Sequence, residues 1–163
     1  IGDNDYKYLG NSVPKYNLGL TNSFVFRSFD LSFLMRSALS FKAVNTKRIF
    51  HENMTLLGQQ NQFKSALTSP VHDAPTFSSY YLENGNYLKL DNLSLGYTLP
   101  LHKNAYLQRI RFAATATNLL IITKFSGMDP ELGVSSFNYS GVERNDYYYP
   151  RTRSFTFSIN ADF

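Results

Sequence analysis

The last ten residues, "SFTFSINADF" (154–163), alternate without a slip. Phe155, Phe157, Ile159, Ala161 and Phe163 fall on one parity, and Ser154, Thr156, Ser158, Asn160 and Asp162 on the other. A helix would scatter those apolar residues round its circumference, whereas a strand puts them on one face. The same period returns upstream. In "YNLGLTNSFVF" (16–26) Tyr16, Leu18, Leu20, Phe24 and Phe26 share a face that only Asn22 interrupts. In "FDLSFLMRSALSF" (29–41) six of the seven odd positions are apolar. Only Arg27 and Ser28 separate the two runs, which predicts an antiparallel hairpin.

A third strand is predicted over 86–99. Leu88 and Leu90 lie on one parity, then Leu93, Leu95, Tyr97 and Leu99 on the other. An extra residue, a bulge near Asp91–Asn92, swaps the faces in that way. Asn84 and Gly85 just before it form a tight-turn signal, so residues 77–82 are expected to pair back on this strand. Pro100 ends it. In the fourth strand, 109–122, Ile110, Phe112, Ala114 and Ala116 oppose Arg111, Ala113, Thr115 and Thr117. The fifth is the closing run, beginning near Arg151. Connections alternate between short (27–28, 100–108) and long (42–85, 123–150). Segment 45–68 is expected to hold a helix, with Ile49, Met54, Leu56 and Leu57 as its apolar positions.

A soluble sandwich that binds glycans would show the same alternation. Three features favour an antiparallel transmembrane β-barrel. The strands run to 11–14 residues, enough for the roughly 9–11 that cross a tilted bilayer span. Short turns on one side and long loops on the other is the asymmetry of outer-membrane barrels. The polar faces carry Ser, Thr, Asn and Gly rather than Lys and Glu, and charged residues make up only 17% of the chain, against about 25% in soluble domains. Aromatic residues near strand ends (Tyr16, Phe26, Phe41, Tyr97, Phe155) are candidates for interfacial girdles. Closure then dominates, because every backbone polar group needs a partner in hydrocarbon. Five strands cannot close alone, so these residues are expected to be the last part of a larger barrel. A first residue other than Met fits a longer precursor.

Other classes find little support. The net charge of +4 is spread along the chain without a basic run, which argues against nucleic acid as a partner. There is no cysteine, so no disulfide or Cys-based metal site. His51, His72 and His102 lack metal-ligand spacing, and no nucleophile-elbow or phosphate-loop pattern occurs. No catalytic residue, metal site or cofactor is therefore expected. Asp129 and Glu131 in "GMDPE" are expected to form an Asp-Pro turn rather than a calcium contact.

The segments "YLENGNYLKLDNLSLGYTLP" (81–100), "ATNLLIITKFSGMDPELG" (116–133) and "YYPRTRSFTFSINADF" (148–163) resemble the C-terminal signature blocks of the SusC/RagA family. These are TonB-dependent outer-membrane transporters of Bacteroidota. "LGNSVPKYNLGLTNSFVFRSFDLSF" (9–33) is similar to the family's preceding hairpin. Lys89, Ser158 and Asp162 depart from the family pattern without touching the fold. The resemblance implies a 22-stranded, plugged barrel, of which this chain supplies about the last five strands. It also implies a plug domain and signal peptide outside this chain, TonB acting through the plug, and a SusD-like surface lipoprotein as lid. It implies uptake of oligosaccharides or peptides, and a periplasmic C-terminus that would place 42–85 and 123–150 outside the cell. Phe155, Phe157, Ile159 and the terminal Phe163 would be the signal read by the assembly machinery, with the apolar face against outer-membrane lipid. Arg36 and Arg111 are expected on the lumen face, paired with the plug. Tyr147, Tyr148 and Tyr149 in "NDYYYP" are expected to form an extracellular aromatic girdle or lid contact ahead of direct substrate contact, for which they are still candidates, since tyrosines offer flat apolar faces with hydroxyls.

Overall fold

The computed structural model describes residues 3–101, 107–131 and 151–163. The described elements, in chain order, are β1 (Tyr16–Phe26), β2 (Phe29–Leu39), β3 (Lys42–Val44), α1 (Thr46–His51), β4 (Leu82–Asn84), β5 (Tyr87–Pro100), β6 (Arg109–Thr123) and β7 (Ser154–Asp162), with short 3-10 turns besides. The chain divides into two compact units. One comprises Asn17–Ser37, Leu88–Ile122 and Arg151–Phe163; the other comprises Ile1–Tyr16, Ala38–Tyr87 and Thr123–Pro150.

The five long strands form one sheet in the order β1-β2-β5-β6-β7. They are 11, 11, 14, 15 and 9 residues long, within two residues of the expected bounds except for β7, which starts three residues later than expected. Arg27 and Ser28 make the β1–β2 turn, with Arg27 at φ 54 in the left-handed region. The β6–β7 ladder is antiparallel and its register sorts the side chains. Phe112 faces Ile159, Ala114 faces Phe157 and Ala116 faces Phe155 on one side; Ala113 faces Ser158, Thr115 faces Thr156 and Thr117 faces Ser154 on the other.

The face swap in β5 is present. Leu88 is exposed near the start and Leu95 and Leu99 near the end, so the outward parity changes between them. Asp91 meets Arg36 while Gly96 lies against Asp30. Because Asp30 and Arg36 share a parity on β2, odd and even positions of β5 reach the same face.

The other unit is built round a two-stranded sheet. β3 pairs with β4 antiparallel, Lys42 opposite Asn84, Ala43 opposite Glu83 and Val44 opposite Leu82. The expected pairing of residues 77–82 with β5 is therefore wrong. Residues 79–81 form a 3-10 turn, and the chain that follows pairs with β3. The expected helix over 45–68 shrinks to the six residues of α1 plus 3-10 turns at Met54–Leu56 and Lys64–Thr68. Asn53 caps the first of those turns, and its side chain bonds to Thr55 in place of a continuing helix. Ile49 is buried, but Leu57 is exposed.

Phe41 is not at an interface girdle. It is buried edge-on against Tyr87, with ring centroids 6.4 Å apart. Gly85 makes this seat, because a Cβ there would run into the Phe41 ring.

Candidate functional site

The first candidate surface is the polar face of the five-stranded sheet. Arg36 on β2 pairs with Asp91 on β5, and the buried Lys89 ammonium lies 3.5 Å from the same carboxylate. Arg111 on β6 forks onto Asp30 on β2 through Nε and Nη2, at 3.2 and 2.7 Å. Arg109 pairs with Asp162. Between these charges the face is hydroxyl-rich, with Ser94 and Thr115 in contact at 3.0 Å. Both arginines singled out by alternation thus lie on the polar face, each with a carboxylate partner in its own sheet. Sequence reasoning missed the partners, because pairing across strands depends on register. Gly96, a glycine inside a strong strand pattern, was a signal available, as was Asp30 on the polar parity of β2.

The opposite face is apolar and open. Phe24 and Phe33 stack at 6.3 Å, and Phe29 and Tyr97 lie 4.8 Å apart. On β7, Phe155, Phe157 and Ile159 are 63%, 81% and 70% exposed. Among the described residues of this unit no second sheet covers them, which is where a sandwich would have its core. A row of this size would be costly against bulk water.

The second candidate lies in the loop unit. Asn45 caps α1, its side chain accepting from the Arg48 N–H at 3.2 Å. The Asn45 amide also donates to Ser126 Oγ at 2.9 Å and to Glu83 at 3.2 Å. Arg48 bridges Glu52 at 2.5 Å and Glu83 at 3.1 Å, and lies over the Tyr80 ring. Burial alone would raise the Glu83 carboxyl. The Ser126 N–H and hydroxyl, Arg48 and Asn45 outweigh it and hold Glu83 below the ordinary range. Burial opposes the charge on Arg48, but its bonds to Glu52 and Glu83 raise its pKa. Burial raises the Tyr81 phenol, with Glu52 adding to the effect. The network ties three separate stretches of sequence together.

Two concavities open on this unit. One, of about 520 Å³, is lined by Tyr6, Lys7, Leu9, Val44, Phe77 and Leu82, among others. The other, of about 650 Å³, is lined by residues including Tyr8, Lys15, Tyr16, Lys42 and Asn84.

Asp129 and Glu131 form a turn, with Asp129 Oδ1 accepting the Glu131 N–H at 2.9 Å. His51 bonds the Asn61 carbonyl oxygen at 2.8 Å, and His72 is exposed. Among the described residues no cluster of His, Asp and Glu is arranged to hold a metal. His102, Tyr147, Tyr148 and Tyr149 lie outside the described residues.

Long antiparallel strands, one open apolar face and one polar face with its charges paired define a segment of transmembrane β-barrel wall. No family model matches the chain. It is 27% identical over its whole length to TonB-dependent receptor P3 of Formosa agariphila, and 30% identical over 90% of its length to TonB-dependent receptor SusC of Bacteroides thetaiotaomicron. It spans 18% and 15% of those two relatives. The RagAB peptide importer in its closed-closed state superposes on 94% of this chain with a TM-score of 0.78 and 25% identity, over 18% of that chain's length. In sequence and in fold, the chain matches a fragment of the SusC/RagA family of TonB-dependent transporters.

Proposed function

We propose that this chain is part of the wall of an outer-membrane importer that takes up a large nutrient, an oligosaccharide or a peptide, using TonB-coupled energy. The observation that carries this reading is the β6–β7 register, which aligns one apolar and one polar row down the full length of β7. The likeness to SusC and RagAB supports it. In this reading the apolar row meets lipid and the polar row meets the lumen with its plug. A SusD-like lipoprotein closes the extracellular side, and the C-terminus is periplasmic. Tyr147, Tyr148 and Tyr149 are substrate contacts, and Phe155, Phe157, Ile159 and Phe163 serve assembly.

The test is uptake by cells expressing the complete coding sequence, with TonB and the SusD-like lipoprotein present or deleted. Loss of uptake without TonB is the expected result. Uptake that persists without TonB, or a product absent from the outer membrane, contradicts the reading. The rival soluble sandwich predicts that residues 1–163 alone are soluble, monomeric and cooperatively folded.

A further inference from the structure

Asp30 and Arg111 do not sit on neighbouring strands. β5 runs between β2 and β6, so the two backbones stand about 10 Å apart at ordinary strand spacing. Their side chains nevertheless meet over the middle strand as a forked guanidinium–carboxylate pair. The residue of β5 beneath that pair is Gly96, which is buried, and a Cβ there would run into both the Asp30 carboxylate and the Arg111 guanidinium.

Glycine inside a strand is otherwise a loss, because it gives up backbone entropy and packs no side chain. Gly96 is not among the residues at positive φ, so backbone geometry does not demand glycine here. A Cβ would instead crowd the ion pair and displace its carboxylate and guanidinium ends. The fork also has a narrow geometry, since two N–H groups must meet two oxygens together. A one-residue slip of β2, β5 or β6 would turn a side chain to the wrong face and break it.

We propose that Asp30, Gly96 and Arg111 act as one clasp that holds β2, β5 and β6 in register. Arg111 is thereby a positioning residue of the wall rather than a contact for the plug or the cargo. The proposal rests on the barrel-wall reading above. It makes an ion pair between non-neighbouring strands and a strand glycine parts of one device.

The test is a mutational cycle in the complete transporter, read as the midpoint at which the heat-resistant folded band is lost. Gly96→Ala in the otherwise natural protein is expected to lower the midpoint, because the Asp30 carboxylate and the Arg111 guanidinium must shift to admit the methyl. In the Asp30→Ala/Arg111→Ala background the colliding atoms are gone, so Gly96→Ala is expected to leave the midpoint unchanged or raise it. An equal drop in both backgrounds would overturn the clasp. Uptake per folded barrel is the second readout, and it is expected to stay within twofold of the natural protein in the Asp30→Ala/Arg111→Ala variant. A tenfold fall with the folded band intact would assign Arg111 to plug or cargo instead and overturn its positioning role. Absence of any heat-resistant band in the natural protein would overturn the wall reading and the clasp together.

Discussion

Ala114 and Phe157 stand opposite each other across the β6–β7 ladder, on the same side as Phe112 with Ile159 and Ala116 with Phe155. The small residue on β6 leaves the Phe157 ring standing free, and it is 81% exposed. Phe157→Asp puts a charge into that row and is expected to destabilise the inserted barrel by roughly 2 kcal/mol. Thr156→Asp, one residue away on the polar face, should be tolerated. Outer-membrane levels of folded protein for the two variants check this pair of expectations. Equal levels would contradict the assignment of faces.

The alternation that fixes these faces was legible in the sequence because a strand's period is two and its consequences are local. β1 and the Arg27–Ser28 turn fall where alternation put them. The swap in β5 was legible for the same reason. What could not be read was anything set by contacts distant in sequence. Residues 77–82 looked like a partner for β5 because Asn84 and Gly85 form a turn signal. The chain from Leu82 instead pairs with β3, about forty residues earlier, and Gly85 serves to admit the Phe41 ring. Phe41 ends an alternating run like a girdle residue, yet it is buried against Tyr87. The Asp30–Arg111 pair likewise needs the register of three strands.

Gly85→Val tests the Phe41 seat. The added side chain must displace a ring that is 3% exposed, and overpacking of this kind costs about 1–3 kcal/mol. The expected outcome is faster proteolysis within residues 38–87 while the long strands stay protected. Unchanged cleavage would show that the Phe41 ring gives way freely.

Asn45 joins the α1 cap to Glu83 and Ser126. Asn45→Ala removes the cap, worth about 1 kcal/mol, and leaves its other partners one bond short. Asn45→Asp keeps the cap acceptor but sets a second carboxylate beside Glu83. Local hydrogen exchange at α1 should therefore speed up in both, and more at neutral pH than at acid pH in the Asp variant. Exchange at α1 unaffected by Asn45→Ala would remove the hub from this account.

Glu83 gives the loop unit a pH dependence of definite sign. Its folded-state pKa is held below the ordinary 4.5, so its contribution is complete above that value. It is lost as pH falls through the lower, folded-state value. Amide exchange at Ser126 and α1 should rise on that acid limb, and Glu83→Gln should weaken the dependence. A wild-type profile that is flat through the acid limb would contradict the charge-assisted network.

The central claim is that the odd-numbered face of β7 meets lipid and the even-numbered face does not. These residues contain no cysteine; single cysteines at each position from 155 to 161, placed in the complete protein with any cysteine elsewhere replaced, carry a spin label in membranes. Oxygen accessibility is expected to peak at 155, 157, 159 and 161. Accessibility to a water-soluble relaxation agent should be out of phase, peaking at 156, 158 and 160. Uniform water accessibility along the strand, or the opposite phase, would contradict the claim.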